Sequence, residues 1–231
     1  NQYNVSNGTS WRLRIGAFRF NECGTPDFYL GATPSSATIC AGADAQYTVN
    51  VGSVASFGND VTLSAAGNPA GSTADFSPNP VTPPGSSTLT IGNTAGTAGG
   101  SYMVTVSGLA DGSAGHSLDV VLDVIAGTPA SPTLVAPADG ATDLPPRPDF
   151  EWSAVAGADA YTLEVDDNAD FSSPEIFATG LSDTTYTPTI DLAEFTTYYW
   201  RVASENLCGT GVVSTVFSFT TQRLLPFEDG F

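Results

Sequence analysis

The chain has 231 residues, 24 of them acidic against six arginines, with no lysine and a formal net charge of -18. Such a surface repels phosphate backbones and anionic lipid, which excludes nucleic-acid binding, and no run approaches the roughly 18 to 20 consecutive apolar residues of a membrane span. Twenty-four Gly and 16 Pro, scattered as turn signals among β-branched and aromatic runs, point to many short strands and an all-β chain.

Residues 1–24 hold three of the six arginines. Trp11, Leu13 and Ile15 alternate there with Arg12 and Arg14, the period of a strand with one buried face; Gly16 breaks the phase and Phe18 and Phe20 resume it. One strand cannot bury such a face alone. The segment is expected to finish the sheet of a preceding domain, to dock on the module that follows, or to add to a neighbouring molecule's sheet edge. With Asn1 first and no signal peptide, the chain reads as a mature or excised piece of a longer precursor.

The next module spans 25–127, with strands expected at 28–33, 46–51, 61–65, 73–77, 87–91, 101–107 and 117–124, parted by Gly, Pro, Asn and Asp clusters. This spacing indicates an immunoglobulin-like sandwich. Tyr47, Val49 and Val51 form one inward face, and Tyr102, Val104 and Val106 another, with Leu118, Val120, Leu122 and Val124 closing the core. The cysteines are Cys23, Cys40 and Cys208. A Cys23–Cys40 disulfide is the economical pairing, closing a short loop at about 3 kcal/mol; two separate buried thiols are the alternative. Cys208 is then left for a partner outside the chain.

Gly127-Thr-Pro-Ala-Ser-Pro132 excludes a helix, and residues 128–133 read as a semi-rigid linker. A second sandwich is expected at 134–221, followed by a tail at 222–231. Its apolar positions are Phe150, Trp152, Tyr161, Leu163, Val165, Tyr186, Tyr198, Trp200, Val202, Val213, Val216, Phe217 and Phe219.

Residues 130–221 resemble a fibronectin type III domain. Pro132 opens the first strand, Trp152 sits in the second, Tyr161-Thr-Leu-Glu-Val165 in the third and Tyr198-Tyr-Trp-Arg-Val202 in the sixth, and Leu192 followed by Tyr198 matches the tyrosine-corner spacing. The pair of modules is also similar to regions downstream of the catalytic domain in large secreted bacterial proteins, especially zinc metallopeptidases of the reprolysin-like and related groups. Cys40-Ala-Gly-Ala-Asp-Ala-Gln-Tyr-Thr-Val-Asn-Val51, Gly67-Asn-Pro-Ala-Gly71, Asn79-Pro-Val-Thr-Pro-Pro-Gly-Ser-Ser-Thr-Leu-Thr-Ile91 and Asn206-Leu-Cys-Gly209 carry that resemblance. It implies an extracellular accessory region and no activity in this chain: His116 is the only histidine, so no zinc-binding HExxH exists.

Ser113 and His116 bring a hydroxyl near an imidazole, but they lie in a Gly-rich turn without a nucleophile elbow and read as turn and strand residues. Asp166, Asn168 and Asp170 present oxygens at alternate positions, the start of a calcium loop, although Phe171 and Phe177 stand where an EF-hand needs Gly and Glu. Calcium, where a cation binds at all, is expected there; turn geometry is the competing explanation. Tyr199 and Tyr3 are the aromatics left over for a sugar platform. The expected function is non-catalytic: an extracellular spacer or interaction region, accessory to a metallopeptidase. The alternatives are an adhesin or appendage subunit that homo-assembles by strand addition through 11–20, and a carbohydrate-binding module. Partners would be proteins, cell-surface polysaccharide or neighbouring domains.

Overall fold

The computed structural model describes residues 24–223. In chain order the first sandwich contains β1 (Asp27–Thr33), β2 (Ser36–Cys40), β3 (Ala45–Val54), β4 (Thr62–Ala66), β5 (Thr73–Ser77), β6 (Gly85–Gly92), β7 (Gly100–Leu109) and β8 (His116–Ile125). The second contains β9 (Leu134–Ala136), β10 (Ala141–Leu144), β11 (Phe150–Trp152), β12 (Ala160–Asp166), β13 (Ile176–Leu181), β14 (Thr185–Tyr186), β15 (Thr197–Asn206), β16 (Gly209–Thr210) and β17 (Phe217–Thr221). No helix among the described residues is long and apolar enough to cross a membrane.

The sheets follow from alternation. Along β3, Ala45, Tyr47, Val49 and Val51 face inward and are buried, while Gln46, Thr48 and Asn50 face out. One sheet runs β1-β3-β6-β5 and faces a second, β2-β8-β7-β4, an arrangement of immunoglobulin constant type. In the second sandwich β14-β11-β9 faces β10-β17-β15-β12-β13. The distinguishing strand is the one after the third long strand: β5 crosses to pair with β6, whereas β13 stays with β12, as expected for a fibronectin-type module.

Both sandwiches divide their opening strand between sheets at a proline. β1 pairs antiparallel with β3, the chain turns at Pro34, and β2 runs parallel to β8; β9 pairs with β11, the chain turns at Pro137, and β10 runs parallel to β17. Proline has no N–H for the ladder it interrupts, which frees the next residues to join the facing sheet.

Two separate cores result. In the first, Tyr47 reaches across the sandwich and its hydroxyl donates to the Val121 carbonyl at 2.7 Å. The second is built on Trp152 and Trp200, with Phe150 edge-on to Trp200 at 5.1 Å between ring centroids. Tyr198 is buried against Phe219, and its hydroxyl accepts the Ala193 N–H at 2.9 Å beside buried Leu192, which is the corner its spacing predicted.

The cysteines differ from expectation. Cys40 is bonded to Cys208 with their Cα atoms 5.5 Å apart, across 168 positions of sequence, so the Cys23–Cys40 pairing is corrected. Cys40 ends β2 opposite Ile125, the last residue of β8, and so lies at the linker beside the turn that carries Cys208. Cys23 lies outside the described residues.

Candidate functional site

The joint between the sandwiches concentrates the most specific contacts. Cys208 sits in the turn closing β15 on β16, and Asn206 shapes that turn by accepting the Cys208 N–H at 2.8 Å. The same amide donates to the carbonyls of Gly127 at 3.0 Å and Gly157 at 3.2 Å. Buried Ser204 donates to the Ala130 carbonyl at 2.6 Å, and Ser131 donates to the Val213 carbonyl at 3.2 Å. Gly211 lies so close to the linker that a Cβ there would stand 2.2 Å from the Pro129 oxygen. The linker is therefore laid along the second sandwich, and the Cys40–Cys208 bond joins that sandwich to the first beside it.

The loop between β12 and β13 holds the residues expected to bind calcium. Asp166 is fully buried; its carboxylate accepts the backbone N–H of Asn168 at 2.8 Å and of Ser173 at 2.9 Å. Burial pushes its pKa up, but these backbone bonds, together with side-chain bonds with Asn168 and Asp167, leave it below the ordinary value. Asp170 turns instead to the Ser172 N–H at 3.1 Å. The structure groups Asp166 with Asp167 and Glu175, whose carboxylate oxygens lie within 4.8 Å of one another, and Glu175 also accepts the Asp167 N–H at 3.1 Å. Asn168 contributes amide hydrogens to Asp166 and Asp167, a donor's role toward the carboxylates. The carboxylates brought together are thus not the alternating set read from sequence, and Asp166 serves as the internal brace of the loop.

Ser113 and His116 are joined by a third residue that sequence did not single out. The Asp27 carboxylate accepts the Ser113 hydroxyl and contacts His116 Nε2 at 2.9 Å, both at Oδ1. The acid is the centre of this trio, and the hydroxyl bonds to it and not to the imidazole, so the order differs from that of a Ser-His-Asp relay. Asp27 opens β1, and its partners lie in and after the turn between β7 and β8, while the His116 ring meets Phe28 edge-on at 4.7 Å. The trio fastens the first strand to the β7–β8 hairpin. The Asp27 pKa is lowered chiefly by the Ser113 bond, then by His116.

On the outer face of β12 and β15, Arg201 pairs with Glu164 and lies 4.0 Å over the ring of Phe171, which folds back from the β12–β13 loop with φ of 53°. Phe177, across from Glu164, leaves the same face partly apolar. Among the leftover aromatics, Tyr199 is half-buried opposite Asp166. Tyr3, and the segment of Trp11, Leu13, Ile15, Phe18 and Phe20, lie outside the described residues.

No family model matches the chain, and no curated protein sequence matches it. Among solved structures, titin domains A168-A170 align with a TM-score of 0.53 at 15% identity, over 87% of this chain and 67% of the titin chain. The chicken CNTN1 FN1-FN3 domains align with a TM-score of 0.42 at 15% identity, over 81% of this chain and 63% of that one. The fibronectin(III)-like modules of Clostridium thermocellum CbhA align with a TM-score of 0.40 at 11% identity, over 87% of this chain and 100% of theirs. The likeness is one of fold: the chain is an all-β tandem of immunoglobulin-like and fibronectin type III-like sandwiches.

Proposed function

We propose that the chain is a non-catalytic extracellular spacer that holds neighbouring parts of a larger secreted protein at a fixed separation and angle. The Cys40–Cys208 bond carries this reading, because it joins two otherwise separate cores at their linker. A long-range disulfide also favours an oxidising compartment, since cytosolic thiols are kept reduced. The association with a metallopeptidase rests on the sequence resemblance of 40–51, 67–71, 79–91 and 206–209. Small-angle scattering of the native chain and of Cys208→Ser tests the spacer. The native curve should fit one arrangement of the two sandwiches, and the variant should need a broader ensemble. Equal breadth in the two samples would remove the basis for a fixed joint.

A further inference from the structure

The placement of the two cysteines along the chain has a mechanical meaning. Cys40 is the last residue of β2, and Cys208 immediately precedes β16. The loop between them contains every strand from β3 to β15; of the described strands, those outside it are the opening β1 and β2 of the first sandwich and the closing β16 and β17 of the second.

We propose that the chain is a load-bearing tether in which the Cys40–Cys208 bond carries tension past both cores. The inference rests on the spacer reading and adds the property that such a spacer would need under pull. Force applied at the two ends runs along β1 and β2 to Cys40, crosses the disulfide, and leaves through β16 and β17. The inner strands are joined in parallel with a covalent bond that spans 5.5 Å between Cα atoms, so they bear no tension along the backbone.

Only the flanking strands are loaded. β1 is held by its ladder to β3 and, through Asp27, by Ser113 and His116; β2 is held by its parallel ladder to β8. At the other end β17 is held between β15 and β10. These ladders can be peeled, but peeling them cannot lengthen the loop. The sequence separation of 168 residues is a contour length of about 600 Å, at roughly 3.6 Å per extended residue. The disulfide withholds that length from any extension.

The experiment is single-molecule stretching of the full chain by handles at both ends, comparing the native protein with Cys40→Ser/Cys208→Ser. The native chain should lengthen only by its flanking segments, and the variant should release about 600 Å more as its sandwiches unfold. Release of the full length by the native chain, at forces too low to break covalent bonds, would overturn the proposal. Should the variant not fold, the native chain stretched with and without dithiothreitol makes the same comparison, and full release in both samples would again overturn it. The scattering measurement keeps the two readings apart. Withheld length with freely swivelling sandwiches would sink the fixed spacer and leave the tether; full release from a chain of one fixed arrangement would do the reverse.

Discussion

Tyr102 and Tyr198 stand at equivalent places in the two sandwiches, near the start of β7 and of β15, and each ties its hydroxyl to backbone a few residues upstream. The polarity is reversed: Tyr102 donates to the Ala98 carbonyl at 2.9 Å, whereas Tyr198 accepts from the Ala193 N–H at 2.9 Å. Their surroundings differ as well, Tyr198 being buried and Tyr102 only partly so. Tyr198→Phe should cost the second sandwich about 1 kcal/mol, since a buried partner is lost from an amide. Tyr102→Phe should stay within about 0.5 kcal/mol, because water can replace the lost donor to Ala98. Urea unfolding of the two variants checks the asymmetry; equal losses would contradict it.

The disulfide should protect both sandwiches. If one unfolds while the other stays folded, the linker and the Cys40–Cys208 bond still pin the ends of the unfolded part. Each unfolded sandwich is then a closed loop of roughly 80 to 90 residues, whose lost entropy corresponds to about 4 to 5 kcal/mol in the chain-entropy view. Cys208→Ser should therefore lower both thermal transitions, by about 10 °C or more. A calorimetric scan in which only one transition moves would show that the bond acts locally.

Acid should loosen the two sandwiches through different carboxylates. Asp27 is held below its ordinary pKa by the Ser113 and His116 bonds, against opposing burial. Asp166 is pushed up by burial but held low overall by the Asn168 and Ser173 N–H groups. For a carboxylate whose folded pKa is depressed, the contribution is complete above its unfolded value, near pH 4, and is lost as the pH falls through the folded value. Asp27→Asn should flatten the acid limb of the first sandwich and Asp166→Asn that of the second. Tryptophan fluorescence reports the second through Trp152 and Trp200, and circular dichroism follows the pair. An unchanged acid limb in Asp27→Asn would mean that the trio does not hold β1.

Much of the fold was legible where one face is strongly apolar. Tyr47, Val49 and Val51, predicted as an inward row, are all fully buried, and the strand expected at 73–77 has those bounds. The strands that escaped are those whose partners lie far along the chain and whose inward residues are few. β2 has Ile39 as its one buried residue and pairs with β8; β10 has none and pairs with β17. The site was less legible for a related reason. Nothing near Ser113 in sequence points to Asp27, 86 positions away, and the economical cysteine pairing minimised loop length when the fold instead brings Cys208 to the end of β2. Of the alternating oxygens at Asp166, Asn168 and Asp170, the two carboxylates each accept the backbone N–H two residues on, which is turn geometry of the kind such spacing makes.

Arg201 should not tolerate lysine. Its guanidinium is both paired with Glu164 and stacked on Phe171, and a compact ammonium cannot keep the planar contact. Because the pair is partly solvated, the loss in Arg201→Lys should be about 1 kcal/mol, close to that in Arg201→Gln. Full retention of stability in the lysine variant, read from denaturant unfolding of the second sandwich, would reduce the stack to simple charge pairing.

Gly211 tests the joint without touching either cysteine. Its backbone N–H donates to the Ser204 carbonyl at 2.8 Å, and Ser204 in turn donates through its hydroxyl to Ala130, so the residue sits between β15 and the linker. A methyl group at this position would lie 2.2 Å from the Pro129 oxygen, well inside contact distance, and the obstacle is backbone that cannot rotate away. Gly211→Ala must therefore lift the linker off the second sandwich or displace the segment that follows β16. Lifting the linker would weaken the Ser204 and Asn206 bonds to Ala130 and Gly127 while the disulfide still holds the two ends. The expected outcome is a changed scattering profile with a lowered transition of the second sandwich, a smaller loss than that in Cys208→Ser. In the Cys208→Ser background the same substitution should broaden the ensemble further, since the covalent and the hydrogen-bonded restraints act on one joint. Profiles indistinguishable from the parent in both backgrounds would show that the linker contacts do not set the angle between the sandwiches.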